Sequence, residues 1–313
     1  MIEAEGLTKY FDTFLAVDGI SLNVDPGMVV AILGPNGAGK TTTVRMLTGI
    51  LRPSAGWARV AGYDVVTQTA QVRATVGVLT EQHGLYERMK GLDYLDFFGR
   101  VYHLPEAMRR QRSLELMERF GLGHALDKRL GQYSKGMKQK LALVRAMLHD
   151  PLVLLLDEPT SAMDPQSAKL VRDSILELRG EKRTIVLTTH NLSEASLLAD
   201  KIAIIRNGRI IAFGNFDELA QVFVGPPMMR LHLIDYVNGI ADDLREVVEV
   251  TDIGADWLEY IAPQPRETNP MVLRRVMDRG GSVLTLSQVS LTLEDVYLKI
   301  VEEDEKKGEN DNG

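Results

Sequence analysis

The sequence predicts an α/β fold: a mixed, largely parallel sheet wrapped by helices, with an all-helical insertion and a small α+β domain behind it. Three observations predict this. Residues 28–56, MVVAILGPNGAGKTTTVRMLTGILRPSAG, pass from an apolar run through a glycine loop into helical periodicity that Pro53 closes. Residues 76–79, 152–156 and 184–188 are short apolar runs flanked by helical stretches, the pattern of strands buried on both faces of a parallel sheet. After Phe223 the texture changes at Gly225-Pro226-Pro227, which reads as a linker.

Taken in order, the first strand ends at Leu33, the glycine loop follows, and a helix begins near Lys40. The stretch from about 91 to 149 carries helical patterns only and is expected to be a helical subdomain. Its last helix lies in YSKGMKQKLALVRAMLHD (133–150), where Met137, Leu141, Val144 and Leu148 share a face and Ser134 stands at the N-cap. Its first turns carry Lys135, Lys138 and Lys140 and no acid, although the positive end of a helix favours carboxylates. In IAIIRNGRIIAFG, Asn207-Gly208 separates two β-rich runs as a two-residue hairpin turn. Domain one is therefore expected over 1–222. A second domain is expected over 228–302, from the alternation in MMRLHLI, the helical NPMVLRRVMD, the strand SVLTLSQV and the helix LTLEDVYLKIVEE. Residues 303–313, charged, polar and aperiodic, are expected to be a disordered acidic tail.

Composition narrows the function classes. A chain of 313 residues with 45% hydrophobic and 25% charged residues buries a large core, and a net charge of −7 argues against a nonspecific grip on nucleic acid. There is no cysteine, which excludes disulfides, thiolate metal sites and cysteine nucleophiles. No apolar run approaches the roughly 18 residues that span a bilayer, and the N-terminus does not read as a signal peptide. Any membrane role would need a partner chain.

The chemistry concentrates in three places. Gly34-Pro35-Asn36-Gly37-Ala38-Gly39-Lys40-Thr41 fits GxxxxGK[ST] between a strand and a helix. Its backbone amides would face phosphate, Lys40 would reach the outer phosphates, and Thr41 would ligate Mg2+. LVLLLDEPTSAMD places Asp157 and Glu158 at the C-terminal edge of a buried strand, where ligands gather in such sheets. Pro159 is expected to keep Glu158 extended, so that the two acids point apart: Asp157 to hold Mg2+ through water, Glu158 to orient and deprotonate the attacking water. His190 ends the strand TIVLTTH, where a γ-phosphate would sit.

GPNGAGKTT, YSKGMKQK, LLLLDEPTSAMD and TTH, in that order over about residues 1–220, resemble the ATP-binding subunit of an ABC transporter. YSKGM in place of the commoner LSGGQ, and the ending TLEDVYLKIVEE, are similar to the branch that includes drug, antibiotic, sodium and polysaccharide exporters. The resemblance implies a P-loop ATPase core binding ATP and Mg2+, with Thr42 continuing the phosphate loop. It implies a dimer in which Ser134, Lys135, Gly136 and Met137 close over the ATP of a facing copy or of a paralogous ATPase. Phe11, with Tyr10 as the alternative, matches the aromatic that stacks on adenine. Asp164 matches the residue linking the two sites. Glu81 stands where most members carry a Mg2+-sensing glutamine, with Gln82 as the alternative. The implied partner is a membrane-spanning permease, the implied location the cytoplasmic face of the cell membrane, and nucleic acid is not expected. The rival reading is a soluble ABC ATPase of a non-transport assembly, associated with ribosomes or with iron-sulfur cluster assembly.

Overall fold

The computed structural model describes residues 1–80, 84–161, 163–234 and 239–310. The chain forms two compact units, Met1–Phe216 and Asp217–Gly313.

The first unit runs β1 (Ile2–Phe11), β2 (Phe14–Val24), β3 (Val29–Leu33), α1 (Lys40–Leu47), β4 (Ala55–Val60), β5 (Tyr63–Asp64), α2 (Thr69–Thr75), β6 (Val76–Leu79), α3 (Gly91–Val101), α4 (Glu106–Arg119), α5 (Lys135–Met147), β7 (Val153–Asp157), α6 (Pro165–Gly180), β8 (Thr184–Thr189), α7 (Leu192–Leu198), β9 (Lys201–Arg206) and β10 (Arg209–Gly214). Six strands make a mixed sheet in the order β10-β9-β3-β8-β7-β6, parallel except for β10. Every residue of β3, β7 and β8 is buried, as continuous apolar strands in mid-sheet require. The β9–β10 hairpin turns at Asn207 (φ 48°) and Gly208 (φ 79°), both left-handed, as the Asn-Gly dipeptide predicts.

A second, antiparallel sheet, β2-β1-β4-β5, is an element that the sequence reading does not contain. Its apolar side chains, Ile2, Leu7, Ile20, Leu22 and Ala58 among them, join Ile32, Leu155, Val186 and Ile205 of the mixed sheet in one core. The parallel register does the placing. Leu33 is opposite Thr189 and Asp157 opposite Thr188, so the C-terminal ends of β3, β8 and β7 lie side by side. The glycine loop, His190 and the Asp157-Glu158 pair leave the sheet at that one edge.

The second unit holds α8 (Phe216–Phe223), β11 (Met228–Leu233), α9 (Ile240–Arg245), β12 (Val250–Ile253), β13 (Trp257–Ile261), α10 (Pro265–Asp278), β14 (Val283–Gln288) and α11 (Leu293–Asn310). Its antiparallel sheet, β12-β13-β11-β14, packs Leu231, Leu233, Leu258 and Tyr260 against Ile240 and Leu244 of α9 and Val272 and Val276 of α10. Two sequence expectations are corrected here. The division falls at Phe216, not at 222, because Gly-Pro-Pro is the stop of a helix: Gly225, at φ 100°, closes back on the Ala220 carbonyl at 3.1 Å. Residues 303–310 continue α11 where a disordered tail was expected. A reciprocal cap starts that helix, with Thr292 N donating to Asp295 Oδ2 at 2.9 Å and Asp295 N to Thr292 Oγ1 at 3.3 Å, and its Glu and Lys residues are good helix formers.

Candidate active site

The loop after β3 wraps back on itself. Gly39 has φ 104°, and a Cβ there would stand 2.8 Å from the Ala16 carbonyl; one at Gly34 would stand 2.2 Å from the Ile205 carbonyl, so neither position accepts a side chain. Ala38 is buried, its amide bonded to the Pro35 carbonyl and its carbonyl to Gly208 N at 3.0 Å, which ties the loop to the β9–β10 hairpin. Lys40 opens α1 and is only 6% exposed. Its Nζ donates to the carbonyls of Gly34 (2.7 Å) and Pro35 (3.1 Å) and stands 3.6 Å from the Glu158 carboxylate.

Asp157 ends β7, and its Oδ1 accepts from Thr41 Oγ1 at 3.2 Å and from Thr188 Oγ1 at 2.5 Å. Glu158 is not extended, contrary to what Pro159 predicts: its φ is 50°, in the left-handed region. Its amide donates to the Thr188 carbonyl and hydroxyl, both at 3.1 Å, and its carbonyl accepts from Ser161 N at 3.1 Å, so the turn outweighs a local preference worth roughly 1–3 kcal/mol. The two acids still part company. Asp157 lies buried between hydroxyls, whereas the Glu158 carboxylate meets His190 Nδ1 at 2.9 Å.

A cleft of about 520 Å³ gathers these groups. It is lined by Phe11, Phe14 and Ala16 of the antiparallel sheet, by Asn36, Gly37 and residues 39–42, and by Glu158, Ser161 and His190. Gly34, Pro35 and Ala38 are not among its lining residues. Phe11 lines it and Tyr10 does not, and Phe14, 65% exposed, is a second aromatic wall that the sequence reading overlooks.

Ser134, Lys135, Gly136, Met137 and Asp164 stand outside this cleft. Ser134 caps α5, accepting from Met137 N at 3.2 Å, and Asp164 caps α6, accepting from Ser167 N at 3.0 Å; that amide holds the Asp164 carboxyl below its ordinary range. The two caps adjoin: a Cβ on Gly136 would lie 3.9 Å from Asp164 Oδ2. Glu81 and its alternative Gln82 lie outside the described residues.

Two more residues grip the turn after β7. Gln139 of α5, 6% exposed, donates through Nε2 to the carbonyls of Glu158 (3.3 Å) and Pro159 (3.1 Å). Glu194 of α7, 3% exposed, accepts from Thr160 Oγ1 and Thr189 Oγ1, both at 2.6 Å. A carboxamide in line with Ala142, Leu143 and Ala146 was the available signal for Gln139; Glu194 had none.

A parallel sheet whose edge carries a glycine phosphate loop, a paired aspartate and glutamate and a histidine defines a nucleoside triphosphatase of the P-loop class. The comparisons with known proteins narrow the class. The family model described as ABC transporter matches residues 17–161. The chain is 37% identical over 298 residues to the daunorubicin resistance ATP-binding protein DrrA3 of Streptomyces coeruleorubidus, covering 95% of this chain and 92% of that one. It is 34% identical over 299 residues to the Nod factor export ATP-binding protein I of Burkholderia pseudomallei, covering 96% of each. A solved structure described as the ATP-binding subunit of an ABC transporter superposes with a TM-score of 0.67 at 30% identity, over 72% of this chain and 94% of that one. The chain belongs to the ABC transporter family as an ATP-binding subunit, and it is an ATPase.

Proposed function

We propose that this chain powers an export permease supplied by a separate membrane protein, at the cytoplasmic face of the membrane, two copies closing head to tail around two ATP molecules. The observation that carries the reading is the division of the site. One face of the chain offers the cleft with its phosphate loop, Glu158 and His190. Ser134, Gly136 and Asp164 form a separate group that does not line that cleft. Among the described residues a Cβ on Gly136 would make only ordinary contacts, with Ser167 and Asp164 at 3.7 Å or more, so the absence of a side chain there is not forced by crowding within the chain. The acid-free first turn of α5, with Ser134 and Lys135 exposed, supplies amides, a hydroxyl and positive charge to the γ-phosphate of the facing copy. The names of relatives, daunorubicin resistance and Nod factor export, support the direction. No helix among the described residues is long and apolar enough to cross a membrane, which fits a permease on another chain.

In the closed pair, Phe11 and Phe14 stack on the base, the amides of loop 36–42 receive the phosphates, and Lys40 exchanges its loop carbonyls for phosphate oxygens. Thr41 and Asp157 present only hard oxygen donors 3.2 Å apart, which suits Mg2+. Thr41 and Asp157 would hold Mg2+, which would supply positive charge against the triphosphate. Glu158 takes the proton of the attacking water, and His190, whose Nδ1 meets that carboxylate at 2.9 Å, orients it.

The test is to express a tagged Glu158→Gln chain in the native host, extract membranes in mild detergent with ATP, and identify what copurifies. A polytopic membrane protein near one-to-one is the expected result. Ribosomes or a soluble assembly complex, with the membrane fraction empty, would overturn the export reading.

A further inference from the structure

Glu158 carries the proposed base on a backbone that is left-handed, and a strained residue keeps that conformation only if its surroundings hold it. The holding groups come from two sides. On one, Thr188 fixes the Glu158 amide, and Glu194 ties Thr160 to Thr189, so this side of the turn is fastened to β8 and α7. On the other, the nearly buried Gln139 carboxamide spans the carbonyls of Glu158 and Pro159. Gln139 belongs to α5, whose first residues are Lys135 and Gly136 behind the Ser134 cap. Five steps of helical rise separate Ser134 from Gln139, about 7.5 Å along the axis. Within a helix that distance is rigid.

We propose that Gln139 is a positioning residue that couples the two ATP sites: when Ser134–Gly136 engages the ATP of the facing copy, α5 carries the Gln139 carboxamide with it, and through the Glu158 carbonyl this sets the carboxylate of the same chain against water and His190. The coupling rests on the head-to-tail dimer proposed above. Without the two Nε2 hydrogen bonds, the Pro159 carbonyl loses the Gln139 donor and the Glu158 carbonyl keeps only Ser161 N, and Glu158 is released toward the extended conformation that a residue before proline prefers. ATP binding itself is untouched, because Gln139 does not line the cleft.

The full-length Gln139→Met chain keeps the shape of the side chain and removes the donor. Its ATPase rate, its ATP affinity and the steepness of rate against ATP concentration are measured beside wild type, with circular dichroism reporting the folded state. The expected result is a kcat about tenfold lower, a Kd for ATP within about twofold, and a sigmoidal ATP dependence turned hyperbolic. Wild-type kcat and steepness in the variant, or an equal loss of ATP affinity, would overturn the proposal. Should the methionine chain not fold, Gln139→Glu carries the test. As a carboxylate it sets charge against two carbonyls, and as the acid it regains one donor, so its rate relative to wild type rises as pH falls; a flat ratio counts against the role. Failure of the dimer reading is seen separately, as a Glu158→Gln chain that stays monomeric in saturating ATP. In that case the coupling falls, and a lowered kcat in Gln139→Met assigns the residue to its own chain's turn alone.

Discussion

Lys40 is a charge folded into its own loop, 6% exposed and bonded to two carbonyls, so the site holds a cation ready for exchange. Glu158 sits 3.6 Å away and faces His190. These neighbours should separate cleanly on substitution. In Lys40→Ala the phosphate charge goes uncompensated, and the Kd for ATP should rise by about thirtyfold or more in equilibrium titration. In Glu158→Gln the shape is kept and the base is lost; affinity should stay near wild type while single-turnover hydrolysis falls by roughly two to four orders of magnitude. A glutamine chain that still turned over would remove Glu158 from the role of base. The residues of the cleft were largely legible because their signals are local: glycines where side chains cannot fit, carboxylates and a histidine at strand ends. The Glu158 conformation was not. The pre-proline preference is a local rule, and the partners that override it, Thr188 and Gln139, are 30 and 19 residues away. Glu194 escaped for the same reason, its Thr160 partner standing 34 residues off.

At the scale of elements, the helical insertion is fastened to the sheet by both ionic and apolar contacts. Arg112 of α4 and Arg183 before β8 share Asp150, whose carboxyl is held below its ordinary range chiefly by the Arg183 hydrogen bond. Beside them, His149 lies flat on Tyr102 with ring centres 3.8 Å apart, and burial pushes its imidazole down to about 4, an effect that the Val76 backbone offsets in part. The folded-state value lies below that of a free imidazole, so as pH falls the unfolded chain takes up the proton first. Stability present above about pH 6.5 is therefore lost between 6.5 and 4, on the order of 2 kcal/mol of it by pH 5. Urea midpoints at pH 7.5 and 5 should show this slope in wild type and a shallower one in His149→Phe, which retains the stack but cannot take up a proton. Equal slopes would place the acid sensitivity elsewhere. Elements with one uninterrupted period, such as α5, β7 and β8, were readable. The antiparallel sheet was not, because β1 meets β2 with register shifts after Ala4, Leu7 and Lys9 that break the alternation.

At the scale of the whole molecule, among the described residues, one apolar core is drawn from residues of the first unit and another from the second. The boundary between the units was misplaced by the sequence because Gly-Pro-Pro ends a helix and marks a linker with equal force. The group at Ser134, Gly136 and Asp164 gives this chain a genetics as well as a chemistry. A lesson from heterozygotes applies: in a head-to-tail pair, a chain crippled at Lys40 and a chain crippled at Gly136 place both defects in one site and leave the other whole. Two alleles, each inactive alone, should therefore restore about a quarter of the ATPase when coexpressed at equal dose, since about half of the dimers are mixed and each has one whole site of two. Two Lys40 alleles should never do so, and an inactive mixture would mean that each chain completes its own site.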